Sequence, residues 1–275
     1  MSSAPGTALS ELASAYERDG WCPLPYRLST SAVALLRDRV GAICRQARPE
    51  VIWEKGGKAV RAIHGCHRFD EVCAALTRHP RLVALAESFL GGPVYVYQFK
   101  VNLKQAREGA AWPWHQDFAF WKREDGMPQP DAVNIAFSLD TVHEGNGPLT
   151  VIPGSHHLGL QDMYADGDAA QRSDWQRHVS ADLAYTVAAE RAGKLADELG
   201  TQLITGPAGS IHAFHPNIVH SSTNNESADR RALLLITYNA VRNSPPAPTR
   251  PDFLVDRNTA PIVAHEDHRL ELCPS

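Results

Sequence analysis

The hydrophobic pattern of the chain changes period near residue 93. Before that point apolar residues recur at helical spacing. Residues 8–19 read as a helix closed by the turn Asp19-Gly20, and a short extended piece follows at Trp21-Cys22-Pro23-Leu24. Residues 30–47 put Val33, Leu36, Val40 and Ile43 on one helical face, with Ser29, Thr30 or Ser31 as the capping oxygen. Two more helices are expected over 70–78 and 81–90, the second ended by Gly91-Gly92-Pro93.

After Pro93 the period becomes two. Residues 94–103 predict a strand with Tyr95, Tyr97, Phe99, Val101 and Leu103 on one face. Val96, Gln98, Lys100 and Asn102 fall on the other. A polar second face fits a solvent-exposed sheet, or the wet lining of a barrel. Further strands are expected over 133–139, 148–152, 209–215 and 231–239, and one more helix over 183–198. Many strands separated by Gly, Pro and Asn turns indicate an all-β sandwich or barrel, with helices gathered at the N-terminus. No Gly-x-Gly-x-x-Gly follows a strand and no Walker loop is present, so nucleotide folds find no support. Residues 161–182 carry no readable pattern.

Composition narrows the function classes. The net charge of -4 gives no electrostatic case for binding nucleic acid or an anionic membrane. No apolar run approaches the ~20 residues of a membrane span. Met1 to Thr7 lacks the basic and apolar regions of a signal peptide. Cysteines 22, 44, 66, 73 and 273 form no Cys-x-x-Cys. The expectation is a cytoplasmic protein without a disulfide framework.

The chemistry concentrates in Trp112-Pro113-Trp114-His115-Gln116-Asp117-Phe118-Ala119-Phe120-Trp121. This aromatic run reads as a strand, which turns His115 and Asp117 to one face. A second histidine would complete the 2-His-1-carboxylate triad of non-heme Fe(II) oxygenases. The His-x-Asp pattern is weak by itself. Another copy, His265-Glu266-Asp267, sits in a polar tail and reads as solvated. His212, His215 and His220 compete for the third ligand position, and a lone histidine is usually structural. His220 stands out because it opens a polar stretch and is followed by Arg231. That arginine shares a strand face with Leu233 and Leu235, which is costly unless a carboxylate meets it. A dicarboxylate cosubstrate would supply one. His64, Cys66, His67 and Cys73 match no standard zinc spacing.

The spacing His115-x-Asp117, His220, Arg231 resembles the phytanoyl-CoA dioxygenase family of Fe(II)/2-oxoglutarate-dependent oxygenases. The block from Trp114 through Trp121 to Glu124-Asp125-Gly126-Met127-Pro128 is similar to ectoine hydroxylases. A closer likeness to bacterial proline hydroxylases rests on Val60-Arg61-Ala62-Ile63-His64-Gly65-Cys66-His67-Arg68, Gln98-Phe99-Lys100, Asn146-Gly147-Pro148-Leu149 and Thr237-Tyr238-Asn239, among others. It runs from about residue 10 to about residue 255.

The resemblance implies a mainly β fold with flanking helices, a double-stranded β-helix (jelly-roll, cupin-like) core in a single domain spanning 1–275. Its expected parts are a helical segment over about 8–92, the β-helix over about 93–240 and a tail over 241–275. It implies Fe(II) on His115, Asp117 and His220, with O2 and 2-oxoglutarate as cosubstrates, the latter held by Arg231, Ser222 and Asn102. Gln98, Trp121 and Phe214 match substrate-side positions. The expected activity is hydroxylation of a free cyclic amino acid, L-proline first, with pipecolate, ectoine or another small metabolite as alternatives. For such a zwitterion, Arg61, Arg123 or Lys100 can serve as the cation and Gln98, Glu124 or Asp125 as the acceptor. The loop Lys122 to Pro130 is expected as a lid. A non-oxygenase cupin-like metal protein is the alternative class, and Arg231 argues against it. Asp117 argues against a halogenase, because it fills the position a halide needs.

Overall fold

The computed structural model describes residues 5–161, 163–164 and 175–275. In chain order the elements are α1 (Pro5–Asp19), β1 (Trp21–Leu28), α2 (Thr30–Cys44), β2 (Val51–Trp53), β3 (Val60–His64), α3 (Glu71–Thr77), α4 (Pro80–Leu90) and β4 (Val94–Lys104). There follow β5 (Trp112–His115), α5 (Asp117–Asp125), β6 (Ala132–Ser138), β7 (Leu149–Val151), β8 (Met163–Tyr164), β9 (Thr186–Val187) and α6 (Ala189–Leu199). The last are β10 (Gln202–Ile204), β11 (Ser210–Phe214), β12 (His220–Ser222), β13 (Arg231–Ala240) and β14 (Leu272–Pro274).

The helix ends follow the sequence signals. The Ser29 side chain accepts from Ala32 N at the start of α2. Asp70 accepts from the Val72 and Cys73 amides at the start of α3. Pro80 opens α4 and Gly91 closes it in the left-handed region at φ 65°.

An eight-stranded sheet in the order β14-β1-β11-β6-β13-β4-β3-β2 faces a four-stranded one in the order β10-β7-β12-β5. This is the jelly-roll layout, with α1, α2, α3 and α4 packed on the outer side of the large sheet. The large sheet draws on all three expected segments. The helical segment supplies β1, β2 and β3, and the tail returns as β14 at the sheet edge. Strands β2 and β3 escaped the pattern reading because β3 is buried throughout, charged residues included. No helix among the described residues is long and apolar enough to cross a membrane.

Strand β4 departs from simple alternation. Its pairing with β13 slips between Thr237 opposite Gln98 and Tyr238 opposite Val96. The extra residue there is Tyr97, a β-bulge that swaps faces. Phe99, Val101 and Leu103 enter the outer core with Val94 and Val96. Tyr95 and Tyr97 instead join the aromatic cluster of Trp121 and Phe120. The expected single face is therefore split in two, while Gln98, Lys100 and Asn102 all line the internal cavity.

Two other expectations shift. The aromatic run is strand only to His115, and Asp117 begins α5. The helix expected over 183–198 starts at Ala189, because Thr186–Val187 pairs with Met163–Tyr164. Part of the segment 161–182 lies outside the described residues.

Candidate active site

His115 ends β5 and His220 opens β12, and the two are register partners in the small sheet. Their ring centroids are 4.1 Å apart. Gln116 is extended (φ -127°, ψ 125°), so the first helical residue, Asp117, still emerges beside His115. One ligand atom from each of the three residues lies within 4.8 Å of the others. Among the described residues no other such cluster occurs, which leaves the zinc alternative at Cys66 and Cys73 without geometry.

The ring orientations are fixed by backbone. His115 Nδ1 lies 2.7 Å from Pro113 O, and His220 Nδ1 lies 3.0 Å from Ile218 O. A carbonyl only accepts, so Nδ1–H donates and the Nε2 lone pair stays free for a metal. Burial, then His220, push His115 down to about 3, and burial lowers His220 as well. Both imidazoles are thus neutral near pH 7. Burial disfavours the Asp117 carboxylate, but Lys100 and the two histidines outweigh it and hold the group at about 2. Lys100 Nζ sits 3.3 Å from each Asp117 oxygen, and Asn134 Nδ2 donates to Oδ2 at 3.0 Å. Two neutral imidazoles and one oriented carboxylate fit a non-heme Fe(II) ion.

Arg231 opens β13 across the cavity and is buried. Its Nε donates to Gly147 O at 3.1 Å, as does Nη2, and among the described residues no carboxylate pairs with it. Burial, then Arg61, lower it to about 10, so it stays charged at neutral pH. Its neighbour Arg230 faces the other way and pairs with Asp140 at 3.0 and 3.1 Å. Asn102 Oδ1 is buried without a partner, and Asn102 and Ser222 line the same cavity as Arg231. An unpaired buried guanidinium with free polar groups nearby suits a bound carboxylate. Lys104 Nζ donates to Ala110 O at 2.8 Å and to Thr223 O, tying β4 to the segments before β5 and after β12.

Gln98, Trp121 and Phe214 also line the cavity. Gln98 Nε2 donates to Leu254 O at 2.6 Å, which leaves its carbonyl oxygen for a ligand. Arg61 is placed differently from the sequence expectation. It does not line the cavity. It sits at the bulge where Val60 and Ala62 pair with consecutive residues of β2. Its guanidinium pairs with Glu54 at 3.2 Å, donates to Ala110, Ala111, Val179 and Ser180 carbonyls, and stacks 3.8 Å over Trp112. Arg61 thus ties the segment covering the cavity to the strand that carries His115. Arg123 lies over Tyr185, and Glu124 is engaged by Tyr185 and His178. Residues Lys122 to Asp125 continue α5, while Val179 and Leu183 line the cavity.

Sequence reasoning missed Arg250. It is buried, lines the cavity, and pairs with Asp125 at 2.5 Å. Asp125 also accepts from Tyr97 and so is no free acceptor. Arg250 and Asp125 are 125 residues apart in a chain rich in both types, so no local spacing announces the pair.

Comparison with known proteins identifies the family. The Phytanoyl-CoA dioxygenase (PhyH) family model matches residues 16–233. The L-proline trans-4-hydroxylase of Streptomyces griseoviridis is 60% identical over 93% of this chain and 95% of its own. The ectoine dioxygenase of Streptomyces anulatus is 31% identical over 94% of this chain and 89% of its own. The crystal structure of EctD from S. alaskensis with bound Fe superposes with a TM-score of 0.79 at 29% identity, covering 95% of this chain and 88% of that one. A further EctD structure, with 2-oxoglutarate and 5-hydroxyectoine, gives a TM-score of 0.74 over 95% of this chain and 86% of that one. The chain belongs to the phytanoyl-CoA dioxygenase family of Fe(II)/2-oxoglutarate-dependent oxygenases.

Proposed function

We propose that this dioxygenase hydroxylates free L-proline at C4 in the trans sense, with 2-oxoglutarate and O2 as cosubstrates. The observation that carries the substrate is the 60% identity, over nearly the whole of both chains, to an enzyme named for that reaction. The cavity supports it with complementary groups for a small zwitterion.

Bound Fe(II) and 2-oxoglutarate supply oxidative decarboxylation to succinate and CO2, coupled to insertion of an oxygen atom into a C–H bond. The residues then divide the remaining work. His115, Asp117 and His220 would hold the ion. Arg231 pairs with the distal carboxylate of 2-oxoglutarate, and Asn102 and Ser222 offer hydrogen bonds along it. Arg250 is the cation available to the amino acid's carboxylate, and the Gln98 carbonyl oxygen accepts from the ring ammonium. Trp121 and Phe214 wall the apolar ring. Val179 and Leu183 shield the cavity from water.

The test is a substrate panel of L-proline, pipecolate and ectoine with iron-loaded protein, read as succinate and as product structure by NMR. Trans-4-hydroxyproline with stoichiometric succinate is the expected result. Turnover of ectoine without proline would overturn the substrate, as would another hydroxylation position the regiochemistry.

A further inference from the structure

The buried side-chain atoms without a hydrogen-bond partner include Asn102 Oδ1 and His64 Nε2, and both side chains line the cavity. Asn102 already has a role beside the cosubstrate. His64 has none. A buried polar atom left unpaired is costly, so such an atom at a cavity wall points to a ligand.

The strand geometry aims His64 inward. It ends β3 opposite Lys100 of β4, and directly paired residues project to the same face. Lys100 is the residue that reaches Asp117. The next pair on that face, two residues along, is Ala62 with Asn102. Gly65 then turns the chain at φ 61°, where a Cβ would meet the Phe253 backbone at 2.9 Å. His64 is therefore held beside the Phe253-Leu254 segment, which also fixes Gln98.

The charged groups acting on His64 are Lys100 and Arg250, both cations. With burial as the larger cause, they keep the ring neutral, at about 3. A neutral imidazole still offers an N–H. A site with two cations nearby favours an anionic ligand group, and the anion an amino acid brings is its carboxylate.

We infer that His64 is a specificity-determining residue, donating a hydrogen bond to the α-carboxylate of the amino acid substrate alongside Arg250. This rests on the amino-acid reading above. Lys100 pairs with Asp117, and Arg250 pairs with Asp125 through Nε and Nη2, so of these three groups His64 is the one whose side chain carries an unpaired buried atom.

The experiment compares wild type, His64→Phe, His64→Ala and His64→Gln, with L-proline and with L-prolinamide, which lacks the carboxylate charge. In His64→Phe the KM for L-proline rises about tenfold or more, while the KM for 2-oxoglutarate stays within about twofold. His64→Ala, which adds no bulk, carries the same measurement if the Phe variant fails to fold. His64→Gln retains a donor and recovers most of the loss. The preference of wild type for L-proline over L-prolinamide shrinks in the Phe and Ala variants. An unchanged KM for L-proline, or an equal rise for 2-oxoglutarate, would overturn the assignment while leaving the hydroxylase reading intact. Failure of wild type to turn over L-proline would overturn both.

Discussion

The two sheets of this jelly roll do different jobs with different materials. The small sheet has strands of three or four residues, and it places His115 and His220 as register partners. Its ligands are oriented by single contacts to backbone carbonyls, not by a deep apolar layer. The large sheet has strands of up to 11 residues, and its β6 and β13 are buried along their whole length. It carries the outer core on one face and the cavity-lining Gln98, Lys100, Asn102 and Arg231 on the other. The difference separates chemistry from stability. Changes in the small sheet should remove turnover and spare the fold, whereas changes in the large sheet should affect binding or folding according to face.

The largest effect breaks the small sheet's role. His115→Ala or His220→Ala should lower metal affinity by at least ~100-fold and abolish turnover. Circular dichroism should stay native, because the core lies elsewhere. Iron titration and a succinate assay check both.

Arg231→Ala sharpens the division on the inner face of the large sheet. Loss of a buried charged partner should cost on the order of 3–5 kcal/mol, which appears as a steep rise in the KM for 2-oxoglutarate. Phe137→Ala, on the outer face of the same sheet, should cost about 3–5 kcal/mol of stability. Its KM values should hold while the protein stays folded. If Phe137→Ala changed the KM for 2-oxoglutarate as much as Arg231→Ala, the two faces would not be separate.

Acid provides a smaller and graded effect. In the metal-free protein, His64 and His115 are held at about 3 and His212 at about 4, chiefly by burial. The unfolded chain takes up these protons near pH 6.5 while the folded one does not. Their contribution is complete above 6.5 and falls as pH drops toward 3–4, by up to about 1.4 kcal/mol per pH unit for each residue. Melting temperatures at pH 7.5 and 5 read this, and iron should raise both without flattening the slope, because it binds the neutral imidazoles of the folded state while the unfolded chain still takes up its protons.

The smallest effect is at Arg230. Arg230→Ala removes a partly exposed pair with Asp140 and should cost less than about 1 kcal/mol, with the KM for 2-oxoglutarate unchanged.

Much of the site was legible because its parts are local. His115 and Asp117 lie two residues apart, and Arg231 is a charge set into an apolar strand. Even so, the reason for the His115–Asp117 convergence was only half right. One extended residue, Gln116, turns both side chains the same way, and a helix rather than a strand carries Asp117. The same letters at His265 and Asp267 stay in an exposed tail, where Asp267 caps a short turn. What the sequence hid are long-range pairings. The bulge at Tyr97 depends on where β13 pairs, and a single slip moves Tyr95 and Tyr97 to the cavity side. Arg61 looked like a free cation, but besides nearby Glu54 its partners come from two distant segments, around Ala110 and Val179. Arg250 looked like one arginine among many until Asp125 met it.

The most direct measurement supplies iron-loaded protein with L-proline, 2-oxoglutarate and 18O2. Mass spectrometry should find one 18O atom in hydroxyproline and one in succinate, in equal amounts. Both labels should vanish together in His220→Ala. Labelled succinate formed without labelled hydroxyproline would contradict L-proline as the substrate. Label in both products from His220→Ala would contradict the metal site.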